Sequence, residues 1–125
     1  MRIDENSLAP IYVQIADAIE EDILNDKLQE GGSCYSQLVI AKELKVNPAT
    51  AAKGINLLVS RGILEKQRGM AMIIRRGARE LIIQRKKQTD FEFKIEELVR
   101  TARQLNLTQD YVTQKIAQYY RGNPI

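Results

Sequence analysis

Histidine is absent from the 125 residues, and cysteine occurs once, at Cys34. The first absence removes Ser-His-Asp and Cys-His nucleophilic arrangements and any zinc site with an imidazole ligand. The second removes an internal disulfide and suits a reducing, cytoplasmic setting. No apolar run approaches the roughly 20 residues that span a bilayer. The opening MRIDENS, acidic and polar, argues against a secretory signal peptide. A Gly-rich phosphate loop is also missing, since Gly31-Gly32 is not followed by Lys-Ser/Thr. Glu20-Glu21 and Glu96-Glu97 are sequence neighbours that point in different directions on a helix, so they read as solvated faces rather than acid–base pairs. These gaps point away from an enzyme, a metal site or a cofactor.

What the chain does have is unevenly placed charge. Residues 1–41 carry Arg2 and Lys27 against eight acids, a net −6. Residues 42–87 carry twelve Lys and Arg against Glu43, Glu65 and Glu80, a net +9, and residues 88–125 balance at five of each sign. The overall +3 therefore hides one basic segment, the footprint expected of a phosphate-binding surface. A hydrophobic content of 44% is enough for a soluble core, and the length allows one small domain plus an appendage.

Periodicity locates the elements. Ile11, Ile15, Ala18, Ile19 and Ile23 recur at three- and four-residue spacing after Pro10, predicting an amphipathic helix from Ile11 to Leu24 with Asp17, Glu20 and Glu21 outside. Ser36 is placed to cap a short helix through Leu44, with Tyr35 and Ile40 as a hydrophobic staple and Val39, Ile40 and Leu44 inward. Only Lys45 and Val46 precede Asn47-Pro48, a second cap and first helical residue, and that helix runs to about Arg61 before Gly62. Two short helices joined so tightly form a helix-turn-helix. On the second, Ala51, Ile55, Leu58 and Val59 form the apolar face, with Gly54 allowing close packing. Ala49, Thr50, Lys53 and Asn56 lie near the opposite face. Asn can bond an adenine edge, Thr a base or a thymine methyl, and Lys a guanine or phosphate.

Ile63–Lys66 and Met72–Arg75 read as a hairpin about Arg68-Gly69, the wing. Arg68, Arg75, Arg76 and Arg79 are candidate phosphate ligands. Further on, Phe91, Ile95, Leu98, Ala102 and Leu105 repeat close to a coiled-coil seam. Asn106-Leu107 interrupts it. Thr108 caps a last helix, with Leu107 and Val112 as staple and Val112, Ile116, Tyr119 and Tyr120 on one side. The fold class is mainly α with a small β-hairpin: a winged helix-turn-helix over 1–77 and a two-helix tail over 78–125. Such a tail has too few residues for a core of its own, and pairing with a second copy is the economical way to cover its stripe.

Several stretches resemble the GntR family of bacterial regulators, and within it the YtrA-like subfamily. APIYVQIADAIEEDIL is similar to the family's first helix, SQLVIAKELKVNPATAAKGINLLVSRGILEKQRG to its helix-turn-helix, and ARQLNLTQDYVTQKI to the subfamily's tail. The match spans nearly the whole chain, and its order and spacing carry more than any single piece. By position, Ser36, Asn47, Thr50, Lys53 and Gly69 match motif positions. The departures are Tyr35 for a proline, Leu38 for a DNA-contacting arginine, Ala71 for the wing's second glycine and Met72 for its threonine. The resemblance implies a cytoplasmic homodimer that binds an operator on double-stranded DNA, usually as a repressor and often near ABC-transporter genes. A small-molecule effector, if one acts, would sit at the dimer interface, because the tail is too small to enclose a large metabolite. The competing reading is a winged helix used as a protein-interaction or architectural module without operator specificity. The basic segment favours DNA; Leu38 and the Met70-Ala71-Met72 wing favour the alternative. Cys34 reads as a small buried hydrophobe rather than a redox sensor, with no flanking cation to lower its pKa.

Overall fold

The computed structural model describes residues 1–69 and 71–122, and the chain forms two compact units, Met1–Gln84 and Arg85–Ile125. In the first unit α1 spans Ile11–Leu24, α2 Gln37–Leu44 and α3 Pro48–Ser60. The strands β1 (Leu64–Glu65) and β2 (Ile73–Ile74) follow, and then α4, Ala78–Lys86, begins.

Local chemistry sets the helix ends. Ser36 caps α2, its hydroxyl accepting the Val39 N–H at 3.1 Å, and Asn47 caps α3 by accepting the Ala49 N–H at 2.8 Å. At the other end of α3, Gly62 takes φ +79° and the Ile63 N–H reaches the Leu58 carbonyl at 2.9 Å, a Schellman closure. Lys45 ends α2 the same way at φ +55°, with the Val46 N–H on the Ala41 carbonyl at 3.1 Å. That closure leaves two residues before the next cap, which is what makes the α2–α3 turn so tight.

Ile15, Ala16, Ile19 and Ile23 of α1 pack with Ile40 and Ala41 of α2 and with Ala51, Ile55 and Leu58 of α3. Ile63, Leu64, Ile74, Ala78 and Ile82 complete this core. Burial of each large aliphatic side chain contributes roughly 1.5–3 kcal/mol. Some face assignments change. The inward arc of α2 centres on Ile40 and Ala41, so Val39 turns out to solvent. Val59 and Ile11 likewise sit on the rims of α3 and α1 and are exposed. Glu20, expected on the outer face of α1, is fully buried, with the Arg61 guanidinium 3.2 Å from its carboxylate.

The hairpin is shorter than the expected Ile63–Lys66 and Met72–Arg75: Leu64 pairs with Ile74 and Glu65 with Ile73. A third segment supports it. Gly31 donates to the Ile74 carbonyl at 2.7 Å, Ile74 to Gly32 at 2.9 Å and Cys34 to Met72 at 2.8 Å, so β2 is paired along both edges. The first unit also extends past the boundary expected after residue 77, because Ala78 and Ile82 are fully buried in its core. Glu30 accepts the Gly77 N–H at 2.9 Å and the Arg79 N–H at 3.0 Å, satisfying open donors at the start of α4.

The second unit holds a π-helical turn at Lys87–Phe91, α5 over Glu92–Gln104 and α6 over Gln109–Tyr120. The expected break at Asn106-Leu107 is a Schellman closure, with Asn106 at φ +56° and the Leu107 N–H on the Ala102 carbonyl at 2.8 Å. Thr108 caps α6 by accepting the Tyr111 N–H at 3.1 Å. No helix among the described residues is long and apolar enough to cross a membrane.

Candidate nucleic-acid interface

On α3, Ala49, Lys53 and Asn56 are exposed at four- and three-residue spacing, with Thr50 half-buried beside them. Ser36 and Asn47, matched to the same surface by motif, spend one acceptor each on the helix caps. The Ser36 hydroxyl proton and the Asn47 amide hydrogens remain available as donors. Gln37, which the periodicity did not single out, ties the two helices together by donating to the Pro48 carbonyl at 3.0 Å. Lys53 carries its ammonium 5.6 Å from the centre of the Tyr12 ring on α1, within cation–π range. Leu38 stands well out from α2, so an arginine's place is taken by a large apolar side chain in water.

The wing residues divide. Arg68 and Gly69 are exposed at the tip, Gly69 at φ +72° with open space around it. The Arg75 guanidinium makes a long contact to Glu65, Nε to Oε2 at 3.8 Å, and Arg75 and Arg76 are both exposed. Arg79 is also partnered within the chain: its Nη1 bonds Asp26 Oδ1 at 3.1 Å and the Leu24 carbonyl at 3.0 Å, while its side chain stays partly exposed. Of the Met70-Ala71-Met72 run, Ala71 is exposed and Met72 half-buried, while Met70 lies outside the described residues.

Two titrations differ from their ordinary values near α1. Burial pushes the Cys34 thiol up to about 11, so it stays protonated at neutral pH and unsuited to redox sensing. Burial also raises the Tyr35 phenol, helped by the hydrogen bond it donates to Asp22 at 2.6 Å.

In the second unit Phe91, Ile95, Leu98, Leu105, Ile116 and Tyr120 are exposed, whereas Ala102 is already buried. Phe93, Val99 and Tyr111, absent from the expected seam, are exposed as well. Leu98 of α5 and Ile116 of α6, with Leu107, Tyr111, Val112 and Tyr119, line an apolar groove of ≈ 390 Å³.

No protein-family model matches the chain. The HTH-type transcriptional regulator YhcF of Bacillus subtilis is 30% identical over 116 residues, covering 93% of this chain and 94% of that protein. The solved structure of YtrA from Sulfolobus acidocaldarius, a GntR-family transcription factor, is 34% identical over 70% of this chain and 97% of its own, with a TM-score of 0.56. A Bacteroides thetaiotaomicron structure assigned to GntR-family transcriptional regulators superposes with a TM-score of 0.74, covering 90% of this chain and 97% of its own at 24% identity. These relatives regulate transcription and are not enzymes. On these likenesses the chain belongs to the GntR family of DNA-binding winged-helix transcription regulators, in its YtrA-like group.

Proposed function

We propose that the protein is a cytoplasmic repressor that binds a palindromic operator as a homodimer, with α3 reading base edges in the major groove. The observation that carries this reading is the solvent face of α3. Lys53 and Asn56 are exposed and Thr50 is half-exposed on a helix whose other face is locked into the core. Asn56 is the candidate for an adenine edge, Thr50 for a thymine methyl, and Lys53 for guanine or phosphate. Ser36, Asn47, Arg68, Gly69, Arg75 and Arg76 supply the backbone contacts that fix register. Occupancy of the operator then blocks transcription, as the likeness to YtrA-like regulators supports.

Dimerisation rests on the second unit. Its exposed Phe91, Ile95, Leu98, Leu105, Ile116 and Tyr120 need a cover, and a second copy brings the same stripe. Pairing presents two α3 helices to one side of the duplex, with half-sites about 34–36 Å apart or a multiple of that. Any effector acts at the paired tails. The test is a triple substitution, Thr50→Ala, Lys53→Ala and Asn56→Ala, assayed on a duplex enriched by the wild-type chain from a random-sequence pool. Deleting one base-reading side chain weakens binding by about 1–3 kcal/mol. Normal binding by a folded triple variant refutes the reading.

A further inference from the structure

We infer that Glu20 and Asp17 of α1 are positioning residues for DNA recognition: they hold Arg61, and Arg61 holds the C-terminal end of α3 at its reading angle. The inference rests on α3 being the reading helix and adds what sets its orientation. Arg61 is the residue that closes α3, its own N–H bonded to the Leu57 carbonyl at 2.9 Å. From there a single nitrogen, Nη1, reaches Asp17 Oδ1 at 3.1 Å and Glu20 Oε2 at 3.2 Å. Asp17 is half-exposed, but the Glu20 side chain is shut off from solvent and Arg61 mostly so.

A carboxylate in that position is a poor choice for stability alone. Removing an ion pair from water is expensive, and well-packed apolar residues of similar size often serve as well or better. What the pair adds is direction. An apolar contact tolerates sliding and small rotations, whereas a guanidinium nitrogen shared by two carboxylates of one helix is confined to a narrower range of positions. The arginine's cation also lies at the C-terminal end of α3, where it complements the helix dipole. Midway along α3, Lys53 over Tyr12 makes a second contact to the same helix, α1. A small rotation of α3 about its packed face would shift Thr50 and Asn56 relative to base edges while leaving phosphate contacts from the wing in place.

The expected effect is therefore a loss of discrimination rather than a loss of binding. The full-length chain is titrated by fluorescence anisotropy against a duplex enriched by the wild-type chain from a random-sequence pool, and against a scrambled duplex of equal length. Two variants are compared: Arg61→Lys, which keeps the charge but replaces the planar guanidinium with a shorter-reaching ammonium, and the double replacement Glu20→Met with Arg61→Met, which exchanges the pair for apolar packing. Affinity for the scrambled duplex and its salt slope should stay at the wild-type value, while the preference for the enriched duplex falls by about tenfold, the worth of one base contact. Thr50→Ala is run alongside. If it leaves the preference intact, the reading of α3 fails and the brace fails with it. If it lowers the preference while folded Arg61→Lys does not, the brace alone is overturned. Should the double replacement fail to fold, as judged by circular dichroism, Arg61→Lys decides the question.

Discussion

Gly54 of α3 lies so close to Ile15 of α1 that a methyl group added to its Cα would sit 2.8 Å from Ile15 Cγ2 and 3.1 Å from the Tyr12 carbonyl oxygen. The two helices are in backbone-level contact at this point, which is why a helix interior tolerates its weakest ordinary former there. Gly54→Ala should lower stability although alanine favours helix by about 1 kcal/mol. Overpacking against backbone costs about 1–3 kcal/mol and outweighs that gain. A net loss near 1 kcal/mol would lower the melting temperature of a unit this size by roughly 4–8 °C. A thermal melt by circular dichroism checks it; a raised melting temperature would mean that α1 and α3 can separate freely.

The wing arginines should separate by function. Replacing Arg68, Arg75 and Arg76 with glutamine should flatten log K against log salt by about 0.9 for each phosphate that is no longer neutralised. Arg79→Gln should leave that slope unchanged and lower stability instead, because its guanidinium is bonded to Asp26 and the Leu24 carbonyl. Parallel salt titrations and melts of the four single variants distinguish the two groups.

Acid should loosen the start of α4 through Glu30. Its carboxylate accepts N–H bonds from Gly77 and Arg79, which hold its pKa below the ordinary 4.5. A lowered folded-state pKa means a contribution that is present above the ordinary value and lost as pH falls through the folded one. Denaturant melts of wild type and Glu30→Gln should therefore differ at pH 7, with the gap closing only as pH drops below the ordinary 4.5 and on through the lowered folded value, where Glu30 becomes neutral. A gap that persists unchanged into acid would assign Glu30's role to packing.

The tail prediction concerns mass and avidity together. Leu98→Asp places a charge in the apolar groove shared with Leu107, Val112 and Ile116. The expected product is a monomer by light scattering, with the helix-turn-helix intact. Operator affinity should drop by some 10²–10⁴ as the second half-site ceases to bind at high effective concentration. Truncation after Gln84 should do the same, and it is the right cut because removal from residue 78 onward would take Ala78 and Ile82 out of the core. A monomer that binds a palindromic duplex as tightly as the full chain would remove dimerisation from the mechanism.

The sequence by itself determined most of the helices and their joints. Ile11–Leu24, the caps at Ser36, Asn47 and Thr108, and the stops at Gly62 and Asn106 are all local, governed by residues a few positions apart, and all stand where periodicity and capping place them. The exposed set on α3 was legible for the same reason, since a fixed 3.6-residue repeat separates it from the buried stripe. Tertiary structure decided whatever depends on a partner far along the chain. Glu20 reads as a surface acid until Arg61, on another helix, reaches it. Arg79 reads as a free cation until Asp26 and the Leu24 carbonyl take it. Gly31–Cys34 gives no strand signal, because its pairing with β2 uses backbone groups that every residue carries. Val39 and Ala102 were placed by spacing alone, and only packing could turn one outward and cover the other.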